Sequence, residues 1–248
     1  MTANRVVSQL AVLEGRMLLR HPAVIVGAGF VLLMVATNLG SPWEADAYSA
    51  LGGLGAATLG PFALLAANGA RQRSRRDQAE ELLSTLPTPA GRRTTAHLWS
   101  VLGGVALAVA GTVATALAYR LGDIDVSRWP NVAELAQGPL AVACAAILGV
   151  VLARWLPWPG VAAMAAIGVV VWQVSTPWFG PLVTLAEADT EGRIVGLSTG
   201  SAWWHLIWLA GWAGLGIAAA RCDRRRDRAA AAAVGLVVLV IAGTAQLA

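Results

Sequence analysis

Seven apolar stretches, each long enough to cross a bilayer, take up most of this chain and hold almost no charge. They run approximately Ala23–Gly40, Leu51–Ala70, Ala96–Tyr119, Leu135–Trp155, Pro159–Pro177, Ala202–Ala220 and Ala229–Ala248. At 1.5 Å of rise per residue such segments cross about 30 Å of hydrocarbon, with modest tilts and overhangs. The fourth and fifth are joined only by Leu156-Pro157-Trp158, where a re-entrant hairpin is the alternative. The last begins in a run of alanines and has an interfacial position as its alternative. With 57% hydrophobic and 13% charged residues the chain falls well short of the roughly one-quarter charge of a soluble domain. Its outer surface therefore meets lipid. The expected fold is an all-α polytopic integral membrane protein of about six to seven transmembrane helices. To these are added an N-terminal interfacial amphipathic helix and a short cytoplasmic helix. The segments are 1–22 for the interfacial helix, 23–220 for a six-span membrane domain with a loop at 71–95, and 221–248 for a basic loop and an additional C-terminal helix.

Charge fixes the orientation. With the N-terminus inside and the spans alternating, 15 of the 18 arginines fall on the cytoplasmic side, leaving Arg120, Arg128 and Arg193 outside. That bias is what the positive-inside rule requires. Trp43, Trp129, Trp155, Trp158, Trp178, Trp203 and Trp204 fall at span ends, where amphipathic rings favour the headgroup zone. The basic stretch of about 20 residues before the first apolar run reads as the approach to an uncleaved first span, despite Ala45-Asp46-Ala47.

All 18 basic residues are arginine, so the chain has no lysine for a phosphate-cradling G-x-x-x-x-G-K-[ST] loop. It carries no ordinary ATPase site, and any ATP-driven work is powered by another subunit. Cys144 and Cys222 lie in different segments and read as two free thiols. The basic residues are juxtamembrane, which leaves no case for nucleic acid.

Two cytoplasmic segments are not spans. In Arg5–Arg20, Val6, Leu10, Leu13 and Met17 form a narrow apolar stripe with arginines beside it, the pattern of a helix lying in the membrane surface. Glu14 interrupts the pattern, and His21-Pro22 breaks the helix before the first span. In the loop Arg71–Arg93, Ala79, Leu82, Leu83 and Leu86 share one face of a short helix stopped by Pro87 and Pro89. Asp77, Glu80 and Glu81 lie near its N-terminus, where the helix dipole favours negative charge. Too small to fold alone, this helix must dock on its own membrane domain, on lipid or on a soluble partner.

Two passages carry a family resemblance: Leu13-Glu14-Gly15-Arg16-Met17-Leu18-Leu19-Arg20-His21-Pro22, and Glu80-Glu81-Leu82-Leu83-Ser84-Thr85-Leu86-Pro87 followed by Arg92-Arg93. The chain resembles the permease subunits of type-2 ATP-binding cassette (ABC) exporters over roughly residues 5 to 220. The first passage is similar to that family's interfacial helix, the second to its E-x-L-L-x-x-L-P segment after the second span. The resemblance implies that the second passage is a coupling helix seated in a groove of a separate ATP-binding subunit. Its coupling candidates are Arg76, Asp77, Glu80, Glu81, Leu82, Leu83 and Leu86. It implies a second permease chain, identical or not, and ATP and Mg on the partner ATPase with no cofactor on this chain. It implies export, and no covalent chemistry. The family usually ends after six spans, whereas this chain adds Arg221–Arg228 and a seventh apolar segment, and the long outer loop Pro177–Trp203 has room for a broken or re-entrant helix.

Within the spans, Asn68, Gln173, Trp204 and Trp208 are candidates for lining a pathway, although polar and aromatic residues also serve as plain interhelical contacts. His21, His97 and His205 lack a second ligand at i+3 or i+4, so no metal site is expected. An intramembrane enzyme is disfavoured, because no Asp or Glu falls in the middle of a span. A structural or regulatory membrane protein without transport is the remaining alternative. The nearly uncharged spans suit a lipid, peptide or drug-like substrate better than a small ion. The arginine-only, alanine-rich composition fits a high-GC bacterium, and hence a multi-pass protein of the plasma membrane.

Overall fold

The computed structural model describes residues 3–38, 50–76, 90–122, 129–158, 160–175, 186–188, 194–197 and 201–221, with 230, 233–237, 240–241 and 244 beyond them. The chain begins with α1 (Ala3–Leu19) and α2 (Pro22–Asn38). Their axes bend by 57° at the break between them. The cause is local. Pro22 lacks an amide hydrogen and suits a first helical position. His21 receives the orphan amides of the new helix, with Nδ1 accepting from Ala23 N at 3.2 Å and its carbonyl from Val24 N at 2.9 Å.

A π-helical stretch, Ala50–Leu59, leads directly into α3 (Gly60–Arg76). The unbroken 32-residue α4 (Ala90–Leu121) follows, then α5 (Val132–Trp155). A capping box starts α5: Asn131 Oδ1 accepts from Glu134 N at 2.9 Å, and Glu134 Oε2 accepts from Asn131 N at 2.7 Å. Leu156-Pro157-Trp158 then leads towards Gly160, whose φ of +89° needs a residue without a Cβ, and into α6 (Val161–Ser175). The chain continues to α7 (Ala202–Arg221).

The directions of the helices follow from which residues meet. Gly60 of α3 faces Ala145 of α5, while Leu64 and Asn68 face Gly149, so the two run the same way. Cys144 lies by Leu209, Ile147 by Gly216 and Arg154 by Ala220, so α7 is also parallel to α5. Tyr119 clusters with Leu135 and Gly104 meets Val142, so α4 runs against α5. Glu14 meets His97 and Leu18 meets Gly104, which makes α1 a companion to the first half of α4. The C-termini of α3, α5 and α7 thus share one end of the molecule with the start of α4, and Arg71, Arg73, Arg92, Arg93, Arg154 and Arg221 gather there. At the opposite end Leu51, Tyr119, Trp129 and Leu135 pack together, and the Arg120 guanidinium sits 4.7 Å from the Trp129 ring centre.

The central helix is α5, buried along much of its length. Ala141, Ala145, Gly149 and Ala153 recur every four residues on it, all buried. Small residues at this spacing let neighbouring backbones approach closely, which is how helices pack where surrounding lipid removes the hydrophobic drive between them. The main core joins Leu18, Leu59, Ala63, Ala67, Val101, Val142 and Val150 from five segments. Apolar side chains also cover the outside: Phe30 and Leu32 on α2, Val109, Val113 and Leu117 on α4, Met164 and Ile167 on α6 are all exposed.

By length and composition two helices can cross a membrane, α4 over Gly91–Leu121 and α5 over Val132–Trp155, and the bent pair Val7–Leu19 with Pro22–Thr37 makes a third if taken as one span. The fold is therefore helical with clear membrane-span candidates, and the expected six to seven spans are not reached on these criteria. The reasons are visible in the elements. The second expected span is divided between π- and α-helical parts, α2 has 17 residues and α6 has 15, and four tryptophans and His205 dilute the aliphatic content of α7. The described positions between 230 and 244 are helical, and Gly235 approaches Leu215 of α7.

One part is not helical. In the segment between α6 and α7, where the sequence leaves room for a broken or re-entrant helix, β1 (Ala186–Ala188) pairs antiparallel with β2 (Ile194–Leu197), Ala186 opposite Leu197 and Ala188 opposite Ile194. Ile194 and Val195 favour a pleated strand over a helix, and the polar, glycine-containing run 189–193 separates the two strands in sequence.

Candidate functional site

The loop 77–89 is bracketed by the end of α3 at Arg76 and the start of α4 at Ala90. Asp77, Glu80, Glu81, Leu82, Leu83 and Leu86 lie outside the described residues, and Arg76 is the last residue of α3. What the structure describes is the frame on either side of that loop. Both bracketing helices are fastened to α1.

The fastening starts from small residues. Gly15 of α1 lies against the Ser100 backbone and Gly103 of α4, and Leu18 packs behind it fully buried. The face of α1 that packs on protein is therefore centred on Gly15 and Leu18. Of the apolar stripe read from the sequence, Leu13 and Met17 stay open instead, 50% and 39% exposed. This close approach sets Glu14 Oε2 3.8 Å from His97 Nδ1, beyond hydrogen-bond length. From α3, Arg73 donates to the Met17 sulfur. Burial pushes the Glu14 carboxyl above its ordinary 4.5, opposed by the Arg73 and then the Arg71 guanidinium. One acidic group thus sits beside two guanidinium groups of α3, partly shielded from water.

Two further contacts brace the same end. Asn68 Nδ2 donates to the Gly149 carbonyl at 3.1 Å, and Asn68 Oδ1 accepts from Gln72 Nε2 at 3.0 Å. The amide of Asn68 ties α3 to α5 just where a Cβ on Gly149 would lie 2.3 Å from the Leu64 carbonyl oxygen. From the end of α5, Arg154 donates to the Ala220 carbonyl, satisfying one of the orphan acceptors at the α7 C-terminus and placing a cation at the negative end of its dipole.

The sequence-derived pathway candidates do not converge. Asn68 is buried at the α3–α5 crossing. Trp208 packs with Ala141 and Leu209, stacked on His205 at 5.5 Å between ring centres, while Trp204 is exposed on the same helix. Gln173 lies in α6. A separate apolar cavity of about 290 Å³ opens between α5, α6 and α7, lined by Leu148, Val169, Trp172 and Trp212. Among the described residues no group of three His, Cys, Asp or Glu side chains forms a metal-binding cluster. The described contacts in this arrangement are packing, capping and hydrogen bonding, and the cavity beside it is lined by apolar side chains.

Sequence reasoning did not single out Glu14, His97, Gly149 or Arg154 as joints. A signal existed for one: Glu14 is the single acid in α1 and interrupts its stripe, which asks for a partner elsewhere. Compared with protein-family models, with curated proteins and with solved structures, the chain has no match.

Proposed function

We propose that this chain is the membrane-spanning permease subunit of an ABC exporter, multi-pass in the plasma membrane with its N-terminus in the cytoplasm and six to seven spans. The observation that carries this reading is Glu80-Glu81-Leu82-Leu83-Ser84-Thr85-Leu86-Pro87 in the loop between α3 and α4, two helices that are both tied to α1. A short amphipathic helix at that position presents Leu82, Leu83 and Leu86 to a groove on a soluble ATPase. Closure of two partner ATPases around ATP moves that helix, and α3, α4 and α1 shift as one unit because their contacts at this end are shared. A second permease chain supplies the other wall of the pathway. ATP and Mg belong to the partner, in keeping with a chain that has no lysine.

The gathering of described arginines at the loop end supports placing that end in the cytoplasm. Opposed helix directions across α4 and α5 support repeated crossing. The apolar cavity between α5, α6 and α7 supports a lipophilic or peptide-like cargo over an ion.

The test is purification of the tagged chain from its host in mild detergent. A stoichiometric soluble ATPase is expected to co-purify, and Leu83→Asp, which sets a charge on the docking face, is expected to abolish that association and ATP-driven transport at normal expression. Transport that survives Leu83→Asp refutes the coupling role.

A further inference from the structure

Beside the loop frame, a groove of about 960 Å³ runs between α1 and the first half of α4. Its body is apolar: Val12 and Leu19 come from α1, Trp99 and Leu102 from α4. Three cations stand around it, Arg16 from α1, Arg92 from α4 and Arg221 from the last position of α7, and no carboxylate lines it among the described residues. Three separate helices thus deliver one guanidinium each to one apolar trough. All three arginines are exposed.

We propose that this groove is a binding site for an anionic phospholipid. Guanidinium groups match phosphate oxygens in forked, charge-assisted pairs. Basic pockets between membrane helices at the cytoplasmic side are suited to anionic headgroups. The trough adds what a bare anion does not use, a run of apolar surface for the upper acyl carbons. Beyond Leu102 that surface continues along the outward face of α4 through Val109, Val113 and Leu117, all exposed, so acyl chains leaving the groove stay on apolar protein. Trp99 is 57% exposed and stands beside the trough, as an interfacial ring does. A volume near 1,000 Å³ is at the upper end for small-molecule sites and holds a headgroup with its glycerol and first methylenes. An acidic peptide satisfies the arginines but leaves the trough and its continuation uncovered.

The inference needs this end of the chain at headgroup depth and does not need an ATPase partner, so a chain that binds no ATPase leaves it standing. It is tested on the purified full-length chain by native mass spectrometry with added phosphatidylglycerol or phosphatidylcholine. Phosphatidylglycerol is expected to be retained at collision energies that strip phosphatidylcholine. Each of Arg16→Gln, Arg92→Gln and Arg221→Gln is expected to weaken retention about fivefold, and the triple change about a hundredfold. Arg120→Gln, at the opposite end, leaves retention unchanged. Equal retention of the two lipids by the unaltered chain overturns the proposal, and this comparison requires no variant to fold. Displacement of phosphatidylglycerol by inorganic phosphate reduces the site to a bare anion pocket and overturns it equally, as does an Arg120→Gln loss matching that of the groove variants.

Discussion

At the crossing of α3 and α5, Gly149 is where the packing leaves least room. A Cβ there would lie 2.3 Å from the Leu64 carbonyl oxygen and 3.1 Å from the Asn68 amide nitrogen, both backbone atoms that cannot swing aside. Ordinary contact begins at 3.4 Å, so Gly149→Ala must part the helices by about 1 Å. Overpacking of this kind costs about 1–3 kcal/mol. Parting also stretches the bond from Asn68 to the Gly149 carbonyl, and interhelical hydrogen bonds in membrane proteins average about 0.6 kcal/mol. Against this, alanine is the better helix former by roughly 0.5–1 kcal/mol. The net expectation is a destabilisation on the order of 1–3 kcal/mol. Gly168→Ala in α6 is the matched control, since nothing lies within 4 Å of its added Cβ. It keeps only the helix-propensity gain and is expected to be neutral or slightly stabilising. Denaturing-detergent titration of the three proteins in mixed micelles, followed by tryptophan fluorescence, reads the difference. If Gly149→Ala unfolds within about 0.5 kcal/mol of Gly168→Ala, the close crossing is not a determinant of stability and the reasoning fails.

Three other outcomes are expected. Asn68→Leu removes the α3–α5 hydrogen bond and leaves Gln72 without its acceptor, so it should destabilise by roughly 1 kcal/mol and couple non-additively to Gly149→Ala in a double-mutant cycle. Because burial raises the Glu14 carboxyl above 4.5, its contribution is complete at acid pH and is lost as pH rises through the raised value. Glu14→Gln should therefore raise the melting midpoint at pH 7 and match the unaltered protein near pH 4, and a gap that widens on acidification refutes this. Arg154→Ala removes the cation that caps the α7 C-terminus and should lower the melting midpoint, whereas Arg154→Lys, which keeps the charge near the dipole, should restore part of it.

Much of the helical part was legible because the forces that fix it are local or periodic. Aliphatic runs mark α4 and α5, and His21-Pro22 marks the bend between α1 and α2 to the residue, since a ring without an amide hydrogen and a side-chain acceptor sit side by side there. The packing face of α1 was not legible. Hydrophobic spacing picks out Leu13 and Met17, but the helix closes on α4 through Gly15, and lipid-exposed leucines look the same in sequence as buried ones. The strand pair at 186–197 was not legible, because its few residues give too short an alternation to mark a strand within a loop. Asn68 was legible as an exceptional residue, while its partner, the Gly149 carbonyl, is a backbone atom that leaves no trace in composition.

The continuity of α4 has a mechanical consequence. At 1.5 Å per residue its 32 residues make a rod of about 48 Å, longer than the roughly 30 Å of hydrocarbon. The other helix leaving the loop is not a rod, because α3 meets a π-helical stretch at Leu59–Gly60. Thus α4 runs unbroken from Ala90 to Tyr119, which packs with Leu51, while the chain of α3 changes helix type at Leu59–Gly60 before it reaches the same end. In the proposed exporter, the two arms leaving the loop are therefore unequal: one is continuous, and the other changes helix type on its way across.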